Sequence, residues 1–124
     1  IRGVQAVMDV VLNRANAARK YIAIHGFNHH LFGDGSIKSA CLARLQFSCW
    51  NLNDPNYPKI ISLDWLNQQG AIDVMTLAAD AIVGTVPDIT DGALYYYAES
   101  MVKPPLWASK LQQVASVGGQ LFYR

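Results

Sequence analysis

"IRGVQAVMDVVLNRANAARK", residues 1 to 20, decides the fold class. Val4, Val7, Met8, Val11 and Leu12 recur at steps of three and four, with Gln5, Asp9 and Asn13 set elsewhere. That is the period of a helix laid against a core, and it predicts a buried helix over 4–14. The helix is already under way at the first residue, so the chain reads as a fragment whose preceding segment is missing. A second long helix is predicted over 64–83, capped by Ser62 or Asp64 and closed by Gly84. Its inward face is Ile72, Met75, Leu77, Ala78 and Ile82.

Between these, "ARKYIAIHGFNHHLFGDGS" reads as a short apolar piece and a loop with a Gly-Asp-Gly turn, and "IKSACLARLQF" as a short helix. Beyond Gly84 come a Pro- and Gly-punctuated loop and "ALYYYA", whose aromatic content suits a short extended segment. "SKLQQVASVGGQLFYR" reads as a short helix followed by an aromatic extended tail. The expected fold is mainly α (α+β), one domain over 1–124 with a few short extended segments.

Composition narrows the function. The chain has 124 residues, 52% hydrophobic and 15% charged, which is the balance of a folded domain rather than a disordered one. Its net charge is +1, without a dense Lys/Arg cluster, so nothing marks a nucleic-acid partner. No apolar run reaches the roughly 20 residues of a membrane span. Cys41 and Cys49 would lie about 12 Å apart on one straight helix, too far to bridge. A bend at "QFSC" would let them meet, so a disulfide and two buried thiols both stay open.

The residues with chemistry to offer lie in polar segments. "QFSCWNLNDPNYP", residues 46 to 58, sets Trp50 among amides and hydroxyls, too polar for a buried strand. Trp50, Tyr95, Tyr96, Tyr97 and Trp107 offer flat apolar faces beside hydrogen-bonding groups, which suits sugar rings; core packing is the plainer alternative. Alternation along an extended segment puts Tyr95 and Tyr97 on one face and Tyr96 on the other, and at least one face should be core. There are eight Asp and a single Glu, Glu99. Glu99 after three tyrosines has the setting of a raised-pKa acid, though an exposed loop carboxylate is the simpler reading. Asp54 either contributes to a cleft or begins an Asp-Pro turn. His25, His29 and His30 lack a third ligand at helical spacing, and loop histidines are the default. No metal and no cofactor is expected.

Taken in order, "GVQAVMDVVLNR" (3 to 14), "QFSCWN" (46 to 51), "DITDGALYYYA" (88 to 98) and "FYR" (122 to 124) resemble the SleB-type cell-wall hydrolases, named for the spore-cortex-lytic enzymes, with relatives in bacterial envelopes and phages. The resemblance covers nearly the whole chain. It implies a lysozyme-like fold and cleavage of peptidoglycan glycan strands between N-acetylmuramic acid and N-acetylglucosamine. It implies a general-acid glutamate in a segment just before the first helix, upstream of Ile1; no Glu or Asp of this chain stands at that place. By analogy of fold, "QFS" and "LYYYA" would line the cleft, making Gln46, Ser48, Trp50, Asn51 and one of Tyr96 or Tyr97 the substrate contacts. A monomer is expected, secreted or in the cell envelope (periplasm, spore or phage-delivered). A binding module that keeps the groove without the acid is the competing reading. A small helical interaction protein would explain neither the tryptophan segment nor the tyrosine run.

Overall fold

The computed structural model describes residues 2–43 and 47–124. Helix α1 (Arg2–His25) runs for 24 residues, well past the stretch its apolar period marks. Its second half, rich in Ala with no Gly or Pro, has the propensity to continue. Gly26 ends it, at φ +79, donating its N–H to the Ile22 carbonyl at 2.7 Å.

The face α1 buries is broader than the one its valines mark: Val7 and Val11 pack inward as expected, and Met8 and Leu12 face α4. Ala6, Val10, Ala15 and Ala18 are fully enclosed, and so are the polar Asp9 and Arg14, whereas Val4 is exposed. The reason lies in two packings on different sides of the helix. Ala6 and Val10 meet Ala93 and Phe122 in one apolar cluster, with Val7, Ile89 and Tyr96 against it. Val11 and Ala15 meet Ala40 in a second, flanked by Ile37, Cys41 and Phe47.

Helix α2 (Ile37–Leu42) starts at Ser36, whose hydroxyl accepts the Ser39 N–H at 3.0 Å. A 3₁₀ turn (Ser48–Trp50) and helix α3 (Tyr57–Ser62) follow. The expected helix over 64–83 is split. Asp64–Asn67 form a 3₁₀ turn, Gln68 is extended, and α4 (Gln69–Val83) begins only afterwards, with no side-chain cap. Gly84 closes α4 at φ +84, where the sequence places the stop. Neither Ser62 nor Asp64 caps it.

The inward face expected of α4 is also corrected. Ile72, Met75 and Ile82 are about half exposed and only Ala81 is buried. Contact with α1 runs along one narrow edge, where Ala78, Ala81 and Ile82 meet Met8, Val11, Leu12, Ile37 and Cys41 around an apolar groove of about 160 Å³. Small residues on that edge let the helices approach, and the larger ones stay about half exposed.

Three antiparallel strands complete the fold: β1 (Tyr95–Ala98), β2 (Gln113–Val117) and β3 (Gln120–Tyr123), in the order β1-β3-β2. β2 stands where a short helix was expected. Gly118 and Gly119, at φ +58 and +79, form the two-residue turn that folds β2 back on β3, and both positive angles match the hairpin turn compatible with strand twist. A Cβ on Gly118 would lie 2.9 Å from the Gly3 Cα, so the turn also lets the start of α1 approach the sheet. The domain is mainly α with one small sheet.

Candidate active site

Strand β1 is held in place by a carboxylate pair that the sequence hides. Asp88 accepts four hydrogen bonds: from the Thr90 N–H and hydroxyl at 2.7 and 2.6 Å, the Gly92 N–H at 2.9 Å and the Asn13 amide at 3.0 Å. Asn13 also donates to the Ala93 carbonyl at 3.0 Å, and Asp9 accepts the Ile89 N–H at 3.0 Å. The 88–93 loop is thereby stitched to α1 immediately before the tyrosines begin.

The two acids are pushed apart. Burial raises Asp9 above the ordinary carboxylate value, the Ile89 N–H opposes it, and the neighbouring Asp88 adds to the rise. Burial also works to raise Asp88, but the bonds from Thr90, Asn13 and Gly92 together outweigh it and hold it low. Asp9 therefore favours folding most below the unfolded value of 3.8, a contribution lost as pH rises through its elevated folded value. Asp88 has the opposite sign: its contribution is present above 3.8 and fades as pH falls through its depressed value. Asn at position 9 can still accept from Ile89 and can donate to Asp88 without charge. Asp9→Asn should hence melt no lower than the parent at pH 7, with the difference shrinking toward pH 3; a markedly lower melt at pH 7 would contradict this assignment.

Arg14 is the second buried polar anchor. It is only 5% exposed, and its Nε donates to the Leu94 carbonyl at 2.7 Å. The guanidinium lies 5.7 to 5.9 Å from the ring centres of Phe32, Tyr95 and Phe47. Facing ring quadrupoles offset part of the cost of burying the cation. Burial pulls its pKa down, and Tyr96 and Tyr95 act the other way.

The tyrosine run divides as alternation requires. Tyr96 packs inward, its ring 5.6 Å from Phe122 and against the first core cluster. Burial raises its hydroxyl pKa, Arg14 lowers it, and Cys49 raises it. Tyr96 thus packs β1 onto α1 and β3. Tyr97 lies on the opposite face, stacked on Tyr123 at 5.6 Å and edge-on to Trp107 at 5.8 Å. Its hydroxyl is 3.2 Å from that of Tyr123, and Trp107 also contacts Tyr95 at 5.3 Å.

Ser48, Trp50 and Asn51 are exposed on the 3₁₀ turn and its exit; Trp50 is 41% exposed and so is not a core residue. Gln46 lies outside the described residues. Beside this turn, an open groove of about 400 Å³ is lined by Cys49, Asn56, Lys59, Ile60 and Trp65. Trp65 is fixed there by its indole N–H on the Ile60 carbonyl at 3.1 Å. The groove offers an aromatic face, an amide and a cation, a set matched to sugars carrying peptide carboxylates.

Other candidates fall to their plainer readings. Asp54 accepts the Asn56 N–H at 2.8 Å, forming a turn. Glu99 is exposed just beyond β1, with its N–H on the Gly119 carbonyl. Both cysteines are free and half-buried. Among the described residues no group of three His, Cys, Asp or Glu side chains could hold a metal ion, and no helix is long and apolar enough to cross a membrane.

Asp9, Asp88, Arg14 and Trp65 were not singled out from sequence. Asp88 was the findable one, since Asp followed two residues later by Thr signals a side chain that bonds its own turn. A buried Arg leaves no such sign.

The family model of the cell wall hydrolases matches residues 1–123, and the chain belongs to that family. Membership makes it an enzyme acting on the cell wall, with peptidoglycan as the implied substrate. No curated protein and no solved structure matches the chain.

Proposed function

We propose that the protein cleaves the glycan strand of peptidoglycan between N-acetylmuramic acid and N-acetylglucosamine as a lytic transglycosylase. The family match over residues 1–123 carries the substrate class. The bond and the reaction type rest on the resemblance and on carboxylate placement. A retaining hydrolase needs a second carboxylate about 5 Å from the acid, and an inverting one about 6.5 to 9.5 Å away to admit water. "QFSCWN" and "ALYYYA" contain no Asp or Glu, and Asp54 is engaged in its turn.

One glutamate suffices for an internal displacement. As the acid it protonates the glycosidic oxygen while the C1–O bond breaks. As the carboxylate it then takes the proton of the muramyl 6-hydroxyl, whose oxygen bonds to C1. The product is a 1,6-anhydro sugar and no water is consumed. In this proposal the glutamate comes from a segment preceding α1, as the resemblance implies, and Glu99 takes no part. The protein would act outside the cell or in its envelope, where peptidoglycan lies.

The proposed saccharide groove is the one lined by Cys49, Asn56, Lys59, Ile60 and Trp65, with Ser48, Trp50 and Asn51 exposed on the turn that carries Cys49. Tyr96 packs into the core against Phe122, and Tyr97 belongs to the aromatic face on the opposite side of the sheet. Trp50→Ala should weaken binding to purified glycan strands severalfold. Its stability cost should stay below about 1 kcal/mol, well short of the roughly 3 to 5 of a core tryptophan. Co-sedimentation beside a melting curve separates the two effects. A large melting loss, or unchanged binding, removes Trp50 from the groove.

A further inference from the structure

The end of α1 carries a second cluster of rings that the proposed cleft leaves unused. Tyr21 and His25, one turn apart, have ring centres 4.1 Å from each other. Gly26 reverses the chain so that Phe27 meets Tyr21 edge-on at 5.7 Å, leaving Phe27 60% exposed. His29 approaches Tyr21 at 4.8 Å and lies between His30, at 4.7 Å, and Phe32, at 4.4 Å and nearly parallel.

The imidazole of His29 is fixed as well as packed. Its Nδ1 accepts the Leu31 and Phe32 N–H groups at 3.0 and 3.1 Å, so in the neutral ring the proton sits on Nε2. Burial and the neighbouring His30 both lower its pKa, keeping the ring neutral. The cluster is continuous with the interior of the candidate site, because Phe32 contacts Tyr95 at 6.0 Å and Arg14 lies over both rings.

The geometry points to the Tyr21–His25–Phe27–His29–His30 cluster as a second saccharide-binding surface, taking N-acetylhexosamine rings of the glycan strand beyond the cleft. This rests on the glycan-strand reading above. Its chemistry fits one occupant. Ring faces accept the C–H side of a pyranose, while imidazole N–H groups and a phenol meet its hydroxyls and acetamido group. A nucleic acid would need several clustered cations, and only Arg19 and Lys20 adjoin these residues in sequence.

The test compares uncrosslinked glycan strands of natural length with a two-disaccharide fragment of them, using the parent protein and the Phe27→Ala/His30→Ala double variant. Both residues are exposed, so the melting temperature should not move. The expected result is about tenfold weaker binding of long strands, unchanged binding of the short fragment, and ring resonances of Phe27 that shift only when long strands are added to the parent. Equal binding of long strands by both proteins overturns this inference and leaves the cleft standing. An equal loss on the short fragment also overturns it, since the cluster would then not be a separate surface. A parent protein that binds neither ligand overturns both the inference and the reading beneath it.

Discussion

Asp88→Ala should remove a large part of the domain's stability. The carboxylate accepts four hydrogen bonds, three from its own loop and one from Asn13 on α1. Hydrogen bonds to a charged group contribute about 1.5 to 3 kcal/mol each, and a donor left buried without a partner adds its own cost. Water can reach Gly92 and Asn13 and recover part of this, but Thr90 is fully buried. Because the carboxylate itself is exposed, solvent screens part of this, and a net loss of about 2 to 4 kcal/mol follows, against a total stability of roughly 5 to 15 for ordinary domains. Asp88→Asn keeps one acceptor oxygen and should lose about half as much. Urea unfolding of the three proteins measures it; an alanine variant within about 1 kcal/mol of the parent would show that the loop is held by something else.

Phe122→Ala should cost a comparable amount by a different route. Phe122 is the largest fully buried side chain among the described residues, enclosed by Ala6, Val10 and Ala93, with Tyr96 stacked on it. Removing its ring forfeits transfer energy and leaves a cavity that surrounding alanines cannot fill, typically about 3 to 5 kcal/mol. Phe122→Leu, closer in volume, should cost much less. The alanine change also takes away the surface that backs Tyr96, so cleavage should fall at temperatures where the variant is still folded. A variant with parental stability would place Phe122 outside the core.

The parts of the fold legible in the sequence were those governed by local rules. The start of α1, the stop at Gly84, the extended "YYYA" and its split faces follow from periodicity and from glycine's access to positive φ. What escaped depends on long-range packing. Val4 and Met8 mark an apolar stripe, yet Ala6 and Val10 face the sheet, because the buried side of a helix is set by what packs on it. Ile72, Met75 and Ile82 were assigned inward for the same reason. β2 was read as helix although Gly118-Gly119 between "QVASV" and "QLFY" is a hairpin signal. Within the site, Trp50 and the tyrosines stood out by residue type. Asp9 and Arg14 did not, since each is buried only by virtue of partners about 80 positions away in the chain; Asp88, exposed and held mainly by its own loop, was overlooked although its Asp-x-Thr spacing marks a turn.

The most direct test of the proposed chemistry is the mass of what the protein, at its natural length, releases from purified peptidoglycan. The transglycosylase reading predicts muropeptides ending in 1,6-anhydromuramic acid, each lighter by one water than its hydrolytic counterpart and resistant to borohydride reduction. Products with ordinary reducing ends would contradict it, and would redirect attention to Asp54 as the second carboxylate of a muramidase.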